Sequence, residues 1–281
     1  MKFPTRTVIA ASLGALLISA GVWAQTAPAT EAGNSENGTG VYTPQVGQSG
    51  KDVVWVPTAN LLVERMLDMA ELKPDDRLVD LGSGDGRTVI AAAKRGVAAR
   101  GIEYNPELVE LSRQAAKEAG VAEQVVLEHG DIFESDFSEA TVLTLFLLPS
   151  LNLRLRPTLL DMPPGTRILS NSFHMEEWQP DDTVEIEGDD CGSWCRAYKW
   201  VVPAKVEGEW KLDTGTLHLT QSFQMLEGSL QVGGKTVDIS EARMDGTQIR
   251  FLAGKQEYVG QVAGDAMQGS INGRTAWSAT R

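Results

Sequence analysis

The run Asp80-Leu81-Gly82-Ser83-Gly84-Asp85-Gly86 is the densest concentration of chemically useful residues in the chain. A glycine-rich turn between a strand and a helix lets the backbone approach a ligand and aims the helix's first N–H groups at it. Two phosphate-binding patterns fail here. A G-x-G-x-x-G fingerprint counted from Gly82 meets Arg87 at its last position, and no Gly-Lys-Ser/Thr ending is present for a Walker loop. Asp80, ahead of the turn, would repel a phosphate and suits an ammonium group. Glu103, 17 residues past Gly86, is placed for two ribose hydroxyls. Asp131, in His129-Gly130-Asp131-Ile132, can accept from the exocyclic amine of adenine. Acids for an ammonium, a ribose and an adenine together describe S-adenosylmethionine, a cationic adenosine ligand without phosphate. A glycine turn alone is as readily a structural feature; three carboxylates at successive strand ends point to a ligand.

Those acids reach one edge only if strands and helices alternate, and the patterning says they do. A helix starting near Thr58, which can cap it, runs with Leu61, Leu62, Met66, Leu67, Met69 and Ala70 on one side. After the break at Lys73-Pro74-Asp75-Asp76 come a strand 77–81, a helix 87–95 and a strand 98–103. A helix over 106–119 opens on Pro106 and stops before Gly120. Strands are expected at 125–128, 140–147, 167–170, 184–187 and 197–202, with a helix at 151–160. This order implies a parallel sheet covered by helices, and the short connection between the last two strands makes them an antiparallel hairpin at its edge.

The residues also resemble a known family. Asp80–Gly86, Glu103-Tyr104-Asn105-Pro106 and Asp131 are similar to the cofactor motifs of class I S-adenosylmethionine-dependent methyltransferases. Val56-Pro57-Thr58, the run from Asp80 through Ala93, and Leu108-Val109 with Ser112-Arg113 resemble the small lysine methyltransferases acting on the c-ring protein of mitochondrial ATP synthase and on nucleotide carriers. The likeness to Dot1-type histone-lysine methyltransferases is more distant. It spans about residues 55–175. It implies a Rossmann-like seven-stranded α/β sheet with the last strand antiparallel, and cofactor contacts from Thr58, Asp80, Gly82, Ser83, Gly84, Asp85, Gly86, Glu103, Tyr104, Asn105, Asp131 and Ile132. It also implies an acceptor near the end of the fourth strand, Leu147-Leu148-Pro149-Ser150. Pro149 is a candidate catalytic residue on that ground. The Asn/Asp-Pro-Pro-Tyr/Phe motif of nucleobase and glutamine methylases is missing.

In Asn171-Ser172-Phe173-His174-Met175-Glu176-Glu177-Trp178, His174 is a candidate general base and Phe173 or Trp178 a candidate wall around the acceptor. A surface loop whose aromatics merely cover the sheet end fits the same residues. His129 and His218 read as ordinary strand residues.

Beyond Pro203 the pattern changes to short alternating strands. Gly233-Gly234 and Asp245-Gly246 each sit between strand-like runs, a hairpin signal. Residues 205–281 are therefore an antiparallel all-β module, following a methyltransferase domain over 51–204.

At the other end, Lys2 and Arg6 precede an apolar stretch from Val8 to Trp23, closed by Val22-Trp23-Ala24. This reads as a signal peptide, 1–24, cleaved before Gln25, with the protein periplasmic or secreted and no spanning segment left after cleavage. Residues 25–50, poor in large apolar side chains, read as a flexible linker. Cys191 and Cys195, in Cys-Gly-Ser-Trp-Cys, suit a local disulfide, two free thiols or half a metal site. No nearby ligands complete the last, so no metal is expected. The net charge of −13 argues against nucleic acid as a partner. What remains is an exported methyltransferase with a protein or small-molecule acceptor, lysine or an envelope component, or a non-catalytic ligand-binding module on the same fold.

Overall fold

The computed structural model describes residues 42–186 and 192–281. The signal peptide, residues 25–41 of the linker, the end of the expected sixth strand at Glu187, and Cys191 with its pairing to Cys195 lie outside the described residues. Among the described residues no helix is long and apolar enough to cross a membrane.

The first layered unit is a seven-stranded sheet. Its strands are β1 (Arg77–Leu81), β2 (Ala98–Glu103), β3 (Val125–His129), β4 (Val142–Leu145), β5 (Arg167–Asn171), β6 (Asp182–Glu185) and β7 (Arg196–Val201), in the order β3-β2-β1-β4-β5-β7-β6. The first five are parallel, and β7 runs antiparallel to both β5 and β6. The helices are α1 (Asn60–Met69), α2 (Arg87–Lys94), α3 (Pro106–Glu118) and α4 (Pro149–Leu160). Strand alternation divides the apolar residues between two cores. Leu78, Val142, Leu169 and Ala197 face α1–α3, whereas Val79, Leu81, Leu143, Leu145 and Ile168 pack with Leu155 and Leu159 of α4. Asp80 and Thr144 fall on the first face, at the carboxyl ends of their strands.

Strand β6 starts two residues earlier than the sequence reading, at Asp182, and several other ends move by one residue; four larger departures have a local reason. Helix α1 starts at Asn60 with Ala59 as its N-cap, because the Thr58 hydroxyl accepts from Asn171 Nδ2 at 3.1 Å rather than capping. Strand β4 is half its expected length, since Phe146, Leu147 and Leu148 leave the sheet to line a cleft. Helix α4 begins two residues early, on Pro149, whose fixed φ suits a first helical position. Residues 45–55, partly assigned to the linker, form a small hairpin: Gly47 N donates to Trp55 O at 2.8 Å, Trp55 N to Gln48 O at 2.9 Å, and Ser49 bridges Val54.

The second unit is an eight-stranded antiparallel meander closed into a barrel. Its strands are β8 (Gly208–Leu212), β9 (Gly215–Ser222), β10 (Met225–Val232), β11 (Lys235–Asp245), β12 (Gln248–Ala253), β13 (Gln256–Ala263), β14 (Ala266–Ile271) and β15 (Thr275–Thr280). Closure comes from β15 pairing β8 at Ala279↔Leu212 and Thr280↔Lys211, which leaves no free sheet edge. Alternate inward residues, among them Trp210, Leu217, Met244, Ile249, Phe251 and Trp277, fill the interior. Gly260 and Gly269 face each other across β13 and β14; a Cβ on Gly260 would stand 2.6 Å from the Trp277 ring, so the indole lies where side chains are missing.

Candidate active site

The turn after β1 enters a cleft of about 200 Å³, open to solvent, at the carboxyl edge of the sheet. Gly82, Gly84 and Gly86 all have positive φ, and the turn reverses tightly before α2. Asp80 lies at its floor, 7 % exposed, with Thr144 Oγ1 donating to Oδ1 at 2.6 Å. Burial pushes its carboxyl up to about 7, and the carboxylates of Glu103 and Asp85 push the same way against hydrogen bonds from Thr144 and Thr88. A buried acid facing two others is a site for a cation.

Glu103, ending β2, is held by two backbone donors: Gly84 N to Oε2 and Asn105 N to Oε1, both at 2.8 Å. Each of its oxygens keeps a lone pair for vicinal hydroxyls. Asn105 caps α3, its Oδ1 accepting from Glu107 N at 2.9 Å. Asp131, past β3, accepts from Phe133 N at 2.9 Å through Oδ1, while Oδ2 pairs with Lys51 of the hairpin. The Lys51 hydrogen bond holds the Asp131 carboxyl below the usual carboxylate range. Lys51 Nζ also lies 4.7 Å from the Tyr104 ring centroid, so the hairpin lies across the site. The three acids therefore line one cleft.

Another part of the cleft's lining is apolar. Phe146, Leu147 and Leu148 come from beyond β4, Leu151 from α4, Phe173 from beyond β5, and Trp194 from the segment before β7. The rings of Phe146, Phe173 and Trp194 are mutually close, with centroids 6.2, 5.8 and 5.5 Å apart.

Residues 80–182 match the family model for the ANTKMT methyltransferase domain. A protein-lysine N-methyltransferase of Saccharolobus islandicus is 40% identical over 138 residues, covering 48% of this chain and 86% of that one. The chain belongs to the ANTKMT methyltransferase family. It is an S-adenosylmethionine-dependent methyltransferase. The mouse adenine nucleotide translocase lysine N-methyltransferase is 34% identical over 142 residues, 50% of this chain and 57% of that one, so the chain spans little more than half that relative's length. A solved structure of an RNA methyltransferase from Salinibacter ruber, in complex with S-adenosyl-L-homocysteine, is 49% identical with a TM-score of 0.51, covering 54% of this chain and 96% of that one.

Of the residues expected to hold the methyltransferase cofactor, Thr58, Asp80, Gly82, Ser83, Gly84, Asp85, Glu103, Tyr104, Asn105, Asp131 and Ile132 all line the cleft. Gly86 does not; it is the N-cap of α2, packed so closely on Ser112 that a Cβ would stand 2.8 Å from the Ser112 Cβ. Asp85 faces the cleft but is engaged by Arg87 at 2.6 Å, and Arg87 reaches on to Thr58 O at 2.8 Å. The acceptor-side expectations divide. Phe173 is a wall. Trp178 is not, being fully buried in the core beneath the loop. His174 is exposed outside the cleft, its Nδ1 accepting from Glu176 N at 2.9 Å, and Pro149 lies outside it at the start of α4. Sequence reading missed Lys51, Trp55 and Trp194. The apolar Val53-Val54-Trp55-Val56 run, abrupt after a polar stretch, was a usable sign for the hairpin; Trp194 carried none beyond being an aromatic between two cysteines.

Proposed function

We propose that this methyltransferase acts on the side-chain amine of protein lysine. The observation that carries the reading is the uncharged acceptor end, built from Phe146, Leu147, Leu148, Leu151, Phe173 and Trp194. The cofactor supplies an activated methyl group; the chain must present a neutral amine in line with it. A lysine starts protonated with an ordinary pKa of about 10.4, and neutralising it at pH 7 costs about 4.6 kcal/mol. No side chain on that wall can act as a base, so the wall works by stripping water from the ammonium, which lowers its pKa. The rings also face the positive charge that develops on the nitrogen as the methyl group is transferred. At the other end, Asp80 would bind the cofactor's ammonium, Glu103 its ribose and Asp131 its adenine amine. The names of the Saccharolobus and mouse relatives support lysine. The Salinibacter protein is named for RNA, but a chain with 38 acidic and 25 basic residues repels a polyanion.

We further propose that the protein works outside the cytoplasm, a reading supported by Lys2, Arg6 and the apolar stretch that ends at Ala24. Two measurements test the pair of statements. Labelled methyl from S-adenosylmethionine, incubated with envelope extract and followed by mass spectrometry, should appear on lysine; label confined to RNA or to lipid overturns the acceptor. Mature protein recovered from the cell envelope or medium should begin at Gln25; an intact N-terminus in the cytoplasm overturns export.

A further inference from the structure

The loop between β5 and β6 begins at the cleft and ends on the barrel. At its start, Phe173 lines the acceptor wall, and its carbonyl accepts from Ser170 Oγ at 2.7 Å and Asn152 Nδ2 at 3.3 Å. Five residues on, Trp178 is fully buried and stacks on Phe223 of the β9–β10 turn, with centroids 6.0 Å apart and planes 10° from parallel. Gln224, 4 % exposed, donates to Gln179 O at 2.8 Å, and Arg243 of β11 donates to Asp181 Oδ1 at 2.7 Å. The loop thus receives a ring, an amide and a guanidinium from the barrel.

The barrel's turn is itself held in an uncommon shape. Phe223 has φ +55°, a conformation rare for an aromatic residue. Gln221 enforces it, donating to Phe223 O at 2.7 Å and Ala204 O at 2.9 Å while accepting from Val206 N at 2.7 Å. Arg156 of α4 completes the clamp, with its guanidinium 5.6 Å from the Phe223 centroid and a hydrogen bond to Met175 O at 2.9 Å. Backbone strain that persists under this many restraints is a sign of a position the fold needs.

We infer that the barrel is a positioning element for methyl transfer: Phe223, acting through Trp178, with Gln224 and Arg243 fixes the loop that presents Phe173 to the acceptor. The inference rests on the lysine reading only for the identity of the acceptor, and the test separates the two. In the full chain, Phe223→Ala should speed amide exchange across 172–181 at least tenfold, leaving peptides of β1 and β2 and the Kd for S-adenosylhomocysteine within twofold of the parent. With poly-L-lysine as acceptor it should raise KM at least fivefold and change kcat little. Phe223→Tyr, which keeps the stacked ring, should restore both. Unchanged exchange in 172–181, or an unchanged KM where poly-L-lysine is methylated, overturns the positioning role. If Phe223→Ala fails to fold, Arg243→Gln, at a half-exposed side chain, is read by the same two measurements. A parent enzyme that leaves poly-L-lysine unmodified counts against the lysine reading, and the exchange result then decides the barrel's role alone.

Discussion

Thr144 Oγ1 donates to Asp80 Oδ1 at 2.6 Å, joining the carboxyl ends of two paired parallel strands at the deepest acid of the cleft. That one bond does not offset the burial of the charge, and the carboxyl is pushed up to about 7 against an ordinary value of 3.8. Only the ionised form attracts an ammonium. Cofactor affinity should therefore weaken as pH falls through 7, by about tenfold between pH 8 and pH 6. Calorimetric titration with S-adenosylmethionine across that range checks it; a flat profile would show that Asp80 does not bind the ammonium.

The same shift has a consequence for folding. A carboxyl whose folded pKa lies above its unfolded one binds its proton more tightly in the folded chain. Stability is then highest below about pH 4 with respect to this group and falls as pH rises to about 7. Asp80→Asn removes the charge while keeping an oxygen to accept from Thr144. At pH 8, without cofactor, the variant should be more stable by on the order of 2–4 kcal/mol, seen as a higher Tm, while S-adenosylmethionine no longer protects it. A variant less stable than the parent at pH 8 contradicts this account.

Glu103 is bound by Gly84 N and Asn105 N, so its removal disturbs the turn as well as the ligand. Glu103→Ala leaves two backbone donors without their acceptor and takes away the proposed ribose partner. Loss of such charge-assisted bonds is worth about 1.5–3 kcal/mol, a tenfold to hundredfold rise in the Kd for S-adenosylhomocysteine. Binding unchanged in the Ala variant would remove Glu103 from the cofactor site.

The parallel sheet was legible because its determinants are local. The Asp80–Gly86 turn, Pro106 opening α3, and the apolar runs around Val79 and Leu143 each mark an element without reference to distant residues. The Gly233-Gly234 and Asp245-Gly246 pairs marked barrel hairpins in the same way. Barrel closure was not legible, because β8 and β15 meet through two residue pairs about 70 positions apart, and nothing near Leu212 or Ala279 announces the other. That Asp80, Glu103 and Asp131 meet at one cleft was readable for the first reason, since they lie at the ends of consecutive strands. The cleft's aromatic wall was not: Phe146, Phe173 and Trp194 come from three separate connections, and only the fold brings them within 6.2 Å. Trp178 illustrates the hazard, as an aromatic in a polar loop suggested a surface wall and proved to be the core contact that anchors the loop.

Gly84 is where the hairpin over the cleft meets the glycine turn. Its φ is +53°, and an added Cβ would stand 2.7 Å from Trp55 Nε1. Gly84→Ala should displace the indole and strain the turn, at a cost of about 1–2 kcal/mol. The expected result is a Tm lower by several degrees and a weaker cofactor complex. Gly96→Ala also meets positive φ but has nothing within 4 Å, so it serves as the control for backbone strain alone. If the two variants bind cofactor equally well, the Trp55 contact carries no weight at the site.

His174 and Trp194 exchange the importance that sequence alone assigned them. His174 is exposed and lies outside the cleft, with one ring nitrogen occupied by Glu176 N, so His174→Ala should leave kcat within twofold. Trp194, 39 % exposed, closes the ring group beside Phe146 and Phe173, so Trp194→Ala opens the acceptor wall to water. A wetter wall stabilises the ammonium form of the amine, which raises the pH needed to neutralise it. Activity of Trp194→Ala on a lysine acceptor should therefore fall at pH 7 by at least tenfold and recover in part toward pH 9.5. With S-adenosylmethionine saturating, so that the Asp80 titration is silent, the parent's activity should rise toward alkaline pH, and His174→Ala should keep the same profile. A pH profile that changes shape in His174→Ala would restore the histidine as a base and displace desolvation as the means of neutralising the amine.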